Sequence, residues 1–182
     1  MNYKDLMSAK ELFNSLARLC DTVEECGLWD KPDGTTITLR EIFQSDVADF
    51  IMYLSASDGS LSADEVQAYR VITGFGGDNA QTMLEYIKDN RIYSMDFESE
   101  PPLTMKILSE AERRAVLNGA ELSQSVLRNM ATFYEILGKI IISIDGGIAY
   151  NEKRDFNIIL DTIRGFADDH DIVGGKWALL GE

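Results

Sequence analysis

Histidine and cysteine are scarce in this chain of 182 residues, and each shortage excludes a class of chemistry. A single histidine, His170, leaves little basis for Ser-His-Asp or Cys-His catalysis, so the sequence does not favour an enzyme of these kinds. The two cysteines, Cys20 and Cys26, are six positions apart on a predicted helix, where only side chains three or four apart are neighbours. We therefore predict two unbridged thiols, as in a reducing compartment.

Positive charge is also in short supply. The chain has 17 Lys and Arg residues against 31 Asp and Glu residues, which gives a formal net charge of −14. A field of this sign repels phosphate backbones and anionic lipid head groups, and it attracts cations and basic surfaces. The composition predicts no nucleic-acid binding and favours a protein partner with a basic surface.

Long apolar runs are absent as well. The longest run, Ile140–Ile144, is interrupted by Ser143 and is far shorter than the roughly 20 residues that a membrane span requires. The first residues, Met1–Ser8, are polar and lack the apolar core of a secretory signal. These features predict a cytoplasmic protein that does not insert into a membrane.

Apolar residues recur at helical spacing along most of the chain and predict an all-α protein with about seven helices in a single bundle. We expect one domain over residues 1–182, with an irregular tail at 168–182 and no sheet beyond a short ribbon near Thr35–Thr38. A long helix is expected from about Glu121 to Ile144, and the last helix from about Asn151 to Ala167. Two capping boxes, at 38–41 and 62–65, mark the beginnings of earlier helices.

Two segments of the sequence, Tyr53–Glu65 and Ile140–Glu152, repeat one pattern. Each has an apolar helix end, then Asp-Gly, a small residue and an aliphatic residue, with Glu seven positions after the Asp. The two copies are 87 residues apart. This repetition predicts an internally duplicated helix–turn–helix hairpin.

The spacing of glycine and glutamate in these segments is also that of a calcium-binding EF-hand loop. Loop positions one and three should then be oxygen donors. They are Leu54 and Ala56 in the first segment, and Ile141 and Ser143 in the second. The EF-hand interpretation therefore fails.

The duplicated pattern resembles the TerB-like tellurite-resistance family, all-helical proteins with an Asp-Gly turn before an acidic residue that opens the next helix. The likeness covers Thr38–Gly74 and Ser123–Phe166. It implies a divalent-cation-binding, stress-related protein. The second turn departs from the pattern, because Gly147 and Ala149 replace polar residues of the first turn.

The resemblance implies a specific set of metal ligands: Asp58, Glu65, Asp145 and Glu152. Calcium, magnesium or manganese would suit these oxygen donors. If the two hairpins are related by a pseudo-two-fold axis, the turns at Asp58 and Asp145 should open on the same side of the bundle.

A second interpretation needs no metal. Asp before Gly is ordinary turn chemistry, and Glu at the third helical position is half of a capping box. The chain would then be a non-catalytic protein-interaction module with an acidic surface. The Asp168–Asp171 stretch is predicted to be a solvated acidic tail. Three further carboxylates lie on the helices that lead into the turns: Asp46, Asp49 and Glu135.

Overall fold

In the computed structural model of the chain, helices account for 72% of the described residues. The described residues are 3–56, 60–75, 82–85, 97–144 and 150–173, the side chains of 150–152 excepted. The helices are α1 (Tyr3–Glu25), α2 (Leu39–Ser55), α3 (Ala63–Thr73), α4 (residues 82–85), α5 (Leu103–Leu117), α6 (Val126–Ile141) and α7 (Tyr150–Asp169). The described residues contain no strand, so the predicted all-α fold is confirmed, and Thr35–Thr38 forms no ribbon.

The predicted beginnings of α2 and α3 are confirmed, and each helix is capped by residues close to it in the sequence. Ser62 caps α3 and Thr38 caps α2, each through a capping box with the glutamate three residues later. The prediction was wrong at the beginning of α6, which starts at Val126, five residues after Glu121. It was also short at the end of α7, since the helix includes the first two residues of the predicted irregular tail and ends at Asp169.

The internal duplication is visible in the helix boundaries. Helices α2 and α6 begin at Leu39 and Val126, and α3 and α7 begin at Ala63 and Tyr150; both pairs are 87 residues apart. Helix α1 packs against α2 and α6, while α5 packs against α6 and α2. Each first helix thus packs against the second helix of its own unit and that of the other unit. An approximate two-fold relation between α1–α2–α3 and α5–α6–α7 produces this arrangement.

Aromatic residues of α1, α2 and α6 form the centre of the core. The ring of Phe43 lies 5.1 Å from that of Phe13 and 5.9 Å from that of Phe133. Beside them, Phe50 and Tyr134 meet edge to face at 4.9 Å. These rings join the two repeated units into one hydrophobic cluster, because they come from both.

A glycine allows α6 and α7 to approach each other closely. A Cβ atom at Gly138 would lie 2.5 Å from Cδ2 of the Phe156 ring and closer still to Cε2. The corresponding position of the first repeat is Ile51, so this glycine is not repeated in the first hairpin.

The two cysteines are free, as predicted: Cys20 is buried on α1 and Cys26 is exposed just beyond it. None of the described helices combines the length and apolar character needed to cross a membrane.

Candidate functional site

The structure describes only part of the predicted metal site. Asp58 and Asp145 lie outside the described residues. The prediction that their turns open on the same side of the bundle therefore concerns residues that the structure does not describe. Glu152 is in the first turn of α7, but its side chain is not among those described. Glu65 is therefore the one predicted ligand whose carboxylate can be located.

The carboxylate of Glu65 is part of the N-terminal cap of α3. The backbone N–H of Ser62 donates to Glu65 Oε2 at 2.7 Å, and the backbone N–H of Glu65 donates to Ser62 Oγ at 3.2 Å. The residue is buried. These reciprocal bonds satisfy helix N–H groups that would otherwise lack partners, so the capping interpretation accounts for this glutamate without a metal.

Side chains able to bind a metal do not converge in the part of the chain that the structure describes: no group of three His, Cys, Asp or Glu residues is placed to hold an ion. The Asp168–Asp171 stretch illustrates this. The ring of His170 stacks on Phe166 at 4.0 Å, whereas Asp171 is buried and forms an ion pair with Arg128 at 2.6 Å. The prediction of a solvated tail was therefore wrong for Asp171.

Carboxylates from neighbouring helices cap three helix N-termini. Glu24 of α1 accepts from the first N–H of α2 at 2.9 Å, and Glu112 of α5 accepts from the first N–H of α6. Glu24 and Glu112 act on equivalent helix starts, although they are 88 residues apart and the helix starts are 87 apart. Asp46 of α2 serves α5 in the same way, accepting from the N–H and the Oγ1 of Thr104 at 2.7 and 2.6 Å.

Asp46 also belongs to a polar cluster inside the bundle. Burial raises the pKa of Asp46, and burial followed by repulsion from Asp46 raises the pKa of Asp49 to about 6. The hydroxyl of Tyr134 is buried near both carboxylates and has no hydrogen-bond partner among the described residues. Cys20 is close as well, and burial raises its pKa to about 12. Because burial disfavours its thiolate, Cys20 is poorly suited to act as a nucleophile.

Glu135, the third carboxylate on these helices, lies in a different environment. It forms ion pairs with Lys139 at 2.5 Å and Arg164 at 2.6 Å. Hydrogen bonds from these two cations hold its pKa below the ordinary value. Glu135 therefore does not join Asp46 and Asp49 in a shared site.

A cavity of about 310 Å³ opens where α2 meets the beginning of α5. Asp46 lies on one side, and Phe97, Pro101, Pro102 and Leu103 supply apolar walls. Glu100 and Lys106 complete the lining and form an ion pair with each other. This combination of apolar walls with a few polar groups is typical of small binding sites in proteins.

Most of the basic side chains are already paired within the fold. In the described part of the chain, at least nine of the 17 Lys and Arg residues form ion pairs with carboxylates. They are Lys31, Arg40, Lys106, Arg113, Arg114, Arg128, Lys139, Arg154 and Arg164. Several carboxylates are instead exposed without a paired cation in the described part of the chain: Glu11, Glu25, Asp33, Glu121, Asp161 and Asp169.

No family model, curated protein or solved structure matches this chain. The TerB-like resemblance accordingly stays a prediction from the two hairpins.

Two functional features were missed by sequence reasoning. Neither the cavity at α5 nor the capping role of Asp46 was predicted, because Asp46 and Thr104 are 58 residues apart. The one local signal of this cavity in the sequence is the Pro101-Pro102 pair, which precedes α5 and forms part of the wall.

Proposed function

We propose that this chain is a non-catalytic helical binding protein whose acidic surface recognises a basic partner protein. The observation that carries the proposal is the distribution of charge. Among the described residues, nine basic side chains are paired with carboxylates while six exposed carboxylates have no paired cation there, and the chain as a whole has a net charge of −14. Such a field accelerates association with positively charged proteins and suppresses binding to nucleic acids.

Binding of defined peptides by calorimetry tests this proposal. The set contains a cationic amphipathic peptide, an acidic peptide of equal length and a short DNA duplex, each measured at low and at physiological ionic strength. We expect only the cationic peptide to bind, and its affinity to fall as salt increases because exposed charges are screened. Equal binding of the DNA, or no binding of the cationic peptide, would refute the proposal.

A second candidate function, divalent-cation binding, is favoured by the equivalence of the two hairpins. Because their helices begin 87 residues apart in both cases, Asp58 and Asp145 precede α3 and α7 by the same number of residues. Such a site would take calcium, magnesium or manganese, with Glu65 and Glu152 as further ligands. The capping role of Glu65 weighs against its taking part.

Thermal unfolding with EDTA and with millimolar calcium distinguishes the two candidates. A cation that binds only the folded state adds about 2.7 kcal/mol to stability at a concentration 100 times its Kd. We expect Asp58→Asn with Asp145→Asn to abolish any such gain, and the control pair Asp33→Asn with Asp161→Asn, two exposed carboxylates, to retain it. A wild-type protein that does not respond to calcium, magnesium or manganese would remove this candidate.

A further inference from the structure

The apolar walls of the cavity at the beginning of α5 are held by contacts with neighbouring elements. Phe97 is 5% exposed, and its ring meets that of Tyr53 edge to face at 5.3 Å. The turn that contains Phe97 is tied to α7, because Thr162 Oγ1 donates to the backbone carbonyl of Glu98 at 2.5 Å. Pro102 fixes the beginning of α5 at the opposite wall. A ligand would therefore enter a space that exists before it binds, which lowers the cost of association.

The charged groups of the cavity are two carboxylates and one ammonium. The exposed N–H groups of a helix beginning normally attract anions, but here Asp46 already accepts from Thr104. Asp46 and Glu100 line the cavity together with Lys106, whose ammonium is paired with Glu100. The adjacent prolines, Pro101 and Pro102, contribute no backbone N–H donors to the wall. The cavity thus offers acceptors and negative charge to a ligand that brings donors.

The apolar walls indicate what kind of cation fits. Leu103 is 52% exposed at the rim, which leaves an uncovered apolar surface next to the carboxylates. The flat guanidinium of arginine stacks on aromatic and apolar faces, and its alkyl stem covers apolar surface, whereas the compact ammonium of lysine is more strongly hydrated. Arginine matches both the charge and the walls.

We propose that this cavity receives an arginine side chain of the partner protein, with the guanidinium near Asp46 and the stem against Phe97 and Leu103. The inference rests on the proposed recognition of a basic partner, and it names the point of contact. The protein's negative charge draws the partner to the surface, and the cavity selects one side chain.

Calorimetry with two peptides tests the inference. One is an acetylated, amidated heptapeptide with a single arginine between two leucines; the other has citrulline, which is neutral and nearly the same shape, in place of arginine. We expect the arginine peptide to bind about tenfold more tightly, the gain of one charge-assisted contact. Equal affinities for the two peptides would overturn the inference.

Two variants locate the binding site. Asp46→Asn removes the charge inside the cavity, and Glu100→Lys reverses the charge of a side chain that is 65% exposed at its rim. Both should lose the preference for arginine. The matched control is Glu121→Lys, which makes the same change in charge at an exposed residue beyond the other end of α5 and should retain the preference.

Glu100→Lys keeps the test valid if Asp46→Asn fails to fold, since Glu100 lies at the surface. If Glu100→Lys and Glu121→Lys weaken binding equally, bulk attraction explains the binding and the cavity does not. That result would overturn this inference and leave the proposed function intact. Failure of every cationic peptide to bind would end both.

Discussion

The close contact of Gly138 with the Phe156 ring makes a sharp prediction about stability. A methyl group at Gly138 would overlap ring carbons of Phe156, which is itself 4% exposed and enclosed between α6 and α7. Overpacking of this kind costs typically about 1–3 kcal/mol. Replacing glycine by alanine in a helix returns up to about 1 kcal/mol, because alanine restricts the unfolded chain. The overlap at Gly138 is severe, so we take the upper part of that cost, about 2–3 kcal/mol, and after the gain of about 1 kcal/mol expect Gly138→Ala to lower the free energy of unfolding by about 1–2 kcal/mol.

Gly165 provides a matched control, because it is also a helical glycine but has nothing within 4 Å of a Cβ atom. Gly165→Ala should raise stability by about 0.5–1 kcal/mol, the propensity gain alone. The two substitutions are chemically identical and should have opposite signs in urea unfolding and in thermal melts. Each kcal/mol corresponds to a shift of about 2–4 °C in Tm for a domain of this size.

A second variant tests the stated cause. Phe156→Leu creates space at the contact, so adding Gly138→Ala to it should cost less than adding Gly138→Ala to the wild type. The difference is the coupling energy of a double-mutant cycle. If Gly138→Ala is as stable as the wild type or more so, the close approach of α6 and α7 is not as described.

Three further predictions concern titratable groups. Glu112→Ala should lower stability in urea unfolding by about 1–3 kcal/mol, because it leaves N–H groups at the beginning of α6 without their acceptor. The control on the same helix, Glu110→Ala, should lower stability much less. Burial raises the pKa of Asp49 to about 6, so the free energy of unfolding should fall as pH rises from about 4 to 6. Asp49→Asn should flatten this slope and be more stable than the wild type at pH 7 by roughly 1 kcal/mol. Cys26 should react with a thiol reagent in the native protein, and Cys20 only after unfolding.

Each of these predictions has a result that contradicts it. Equal losses from Glu112→Ala and Glu110→Ala would mean that the interhelical cap contributes nothing beyond surface charge. For the pH dependence, Asp161→Asn is the control, because that side chain is exposed and its substitution should leave the slope unchanged. Rapid reaction of Cys20 in the folded state would show that the interior between α1 and α2 opens to solvent.

Local sequence signals predicted the hairpins well. The capping boxes at Ser62 and Thr38 bring together residues three apart, and the Asp-Gly pattern repeats at a fixed distance, so both could be recognised without tertiary information. The beginning of α6 could not, because its acceptor is Glu112, which comes from the preceding helix. Residues 121–125 have helical composition but lie before the capped position, and the tertiary contact decides where the helix begins.

The acidic residues of this chain fall into two groups, those that cap helices and those that are exposed at the surface. Glu24, Asp46 and Glu112 are used to begin helices, and Glu65 is used in the same way within its own hairpin. Substituting such residues removes a helix cap as well as a charge, so lost binding in those variants is informative only where the variant is shown to fold, as required of Asp46→Asn. The exposed carboxylates named above cap no helix. Among the exposed carboxylates, Glu100 also lines the cavity. Charge reversal at Glu100, compared with an equal reversal beyond the far end of α5, therefore separates recognition by this surface from the acidity that the fold itself requires.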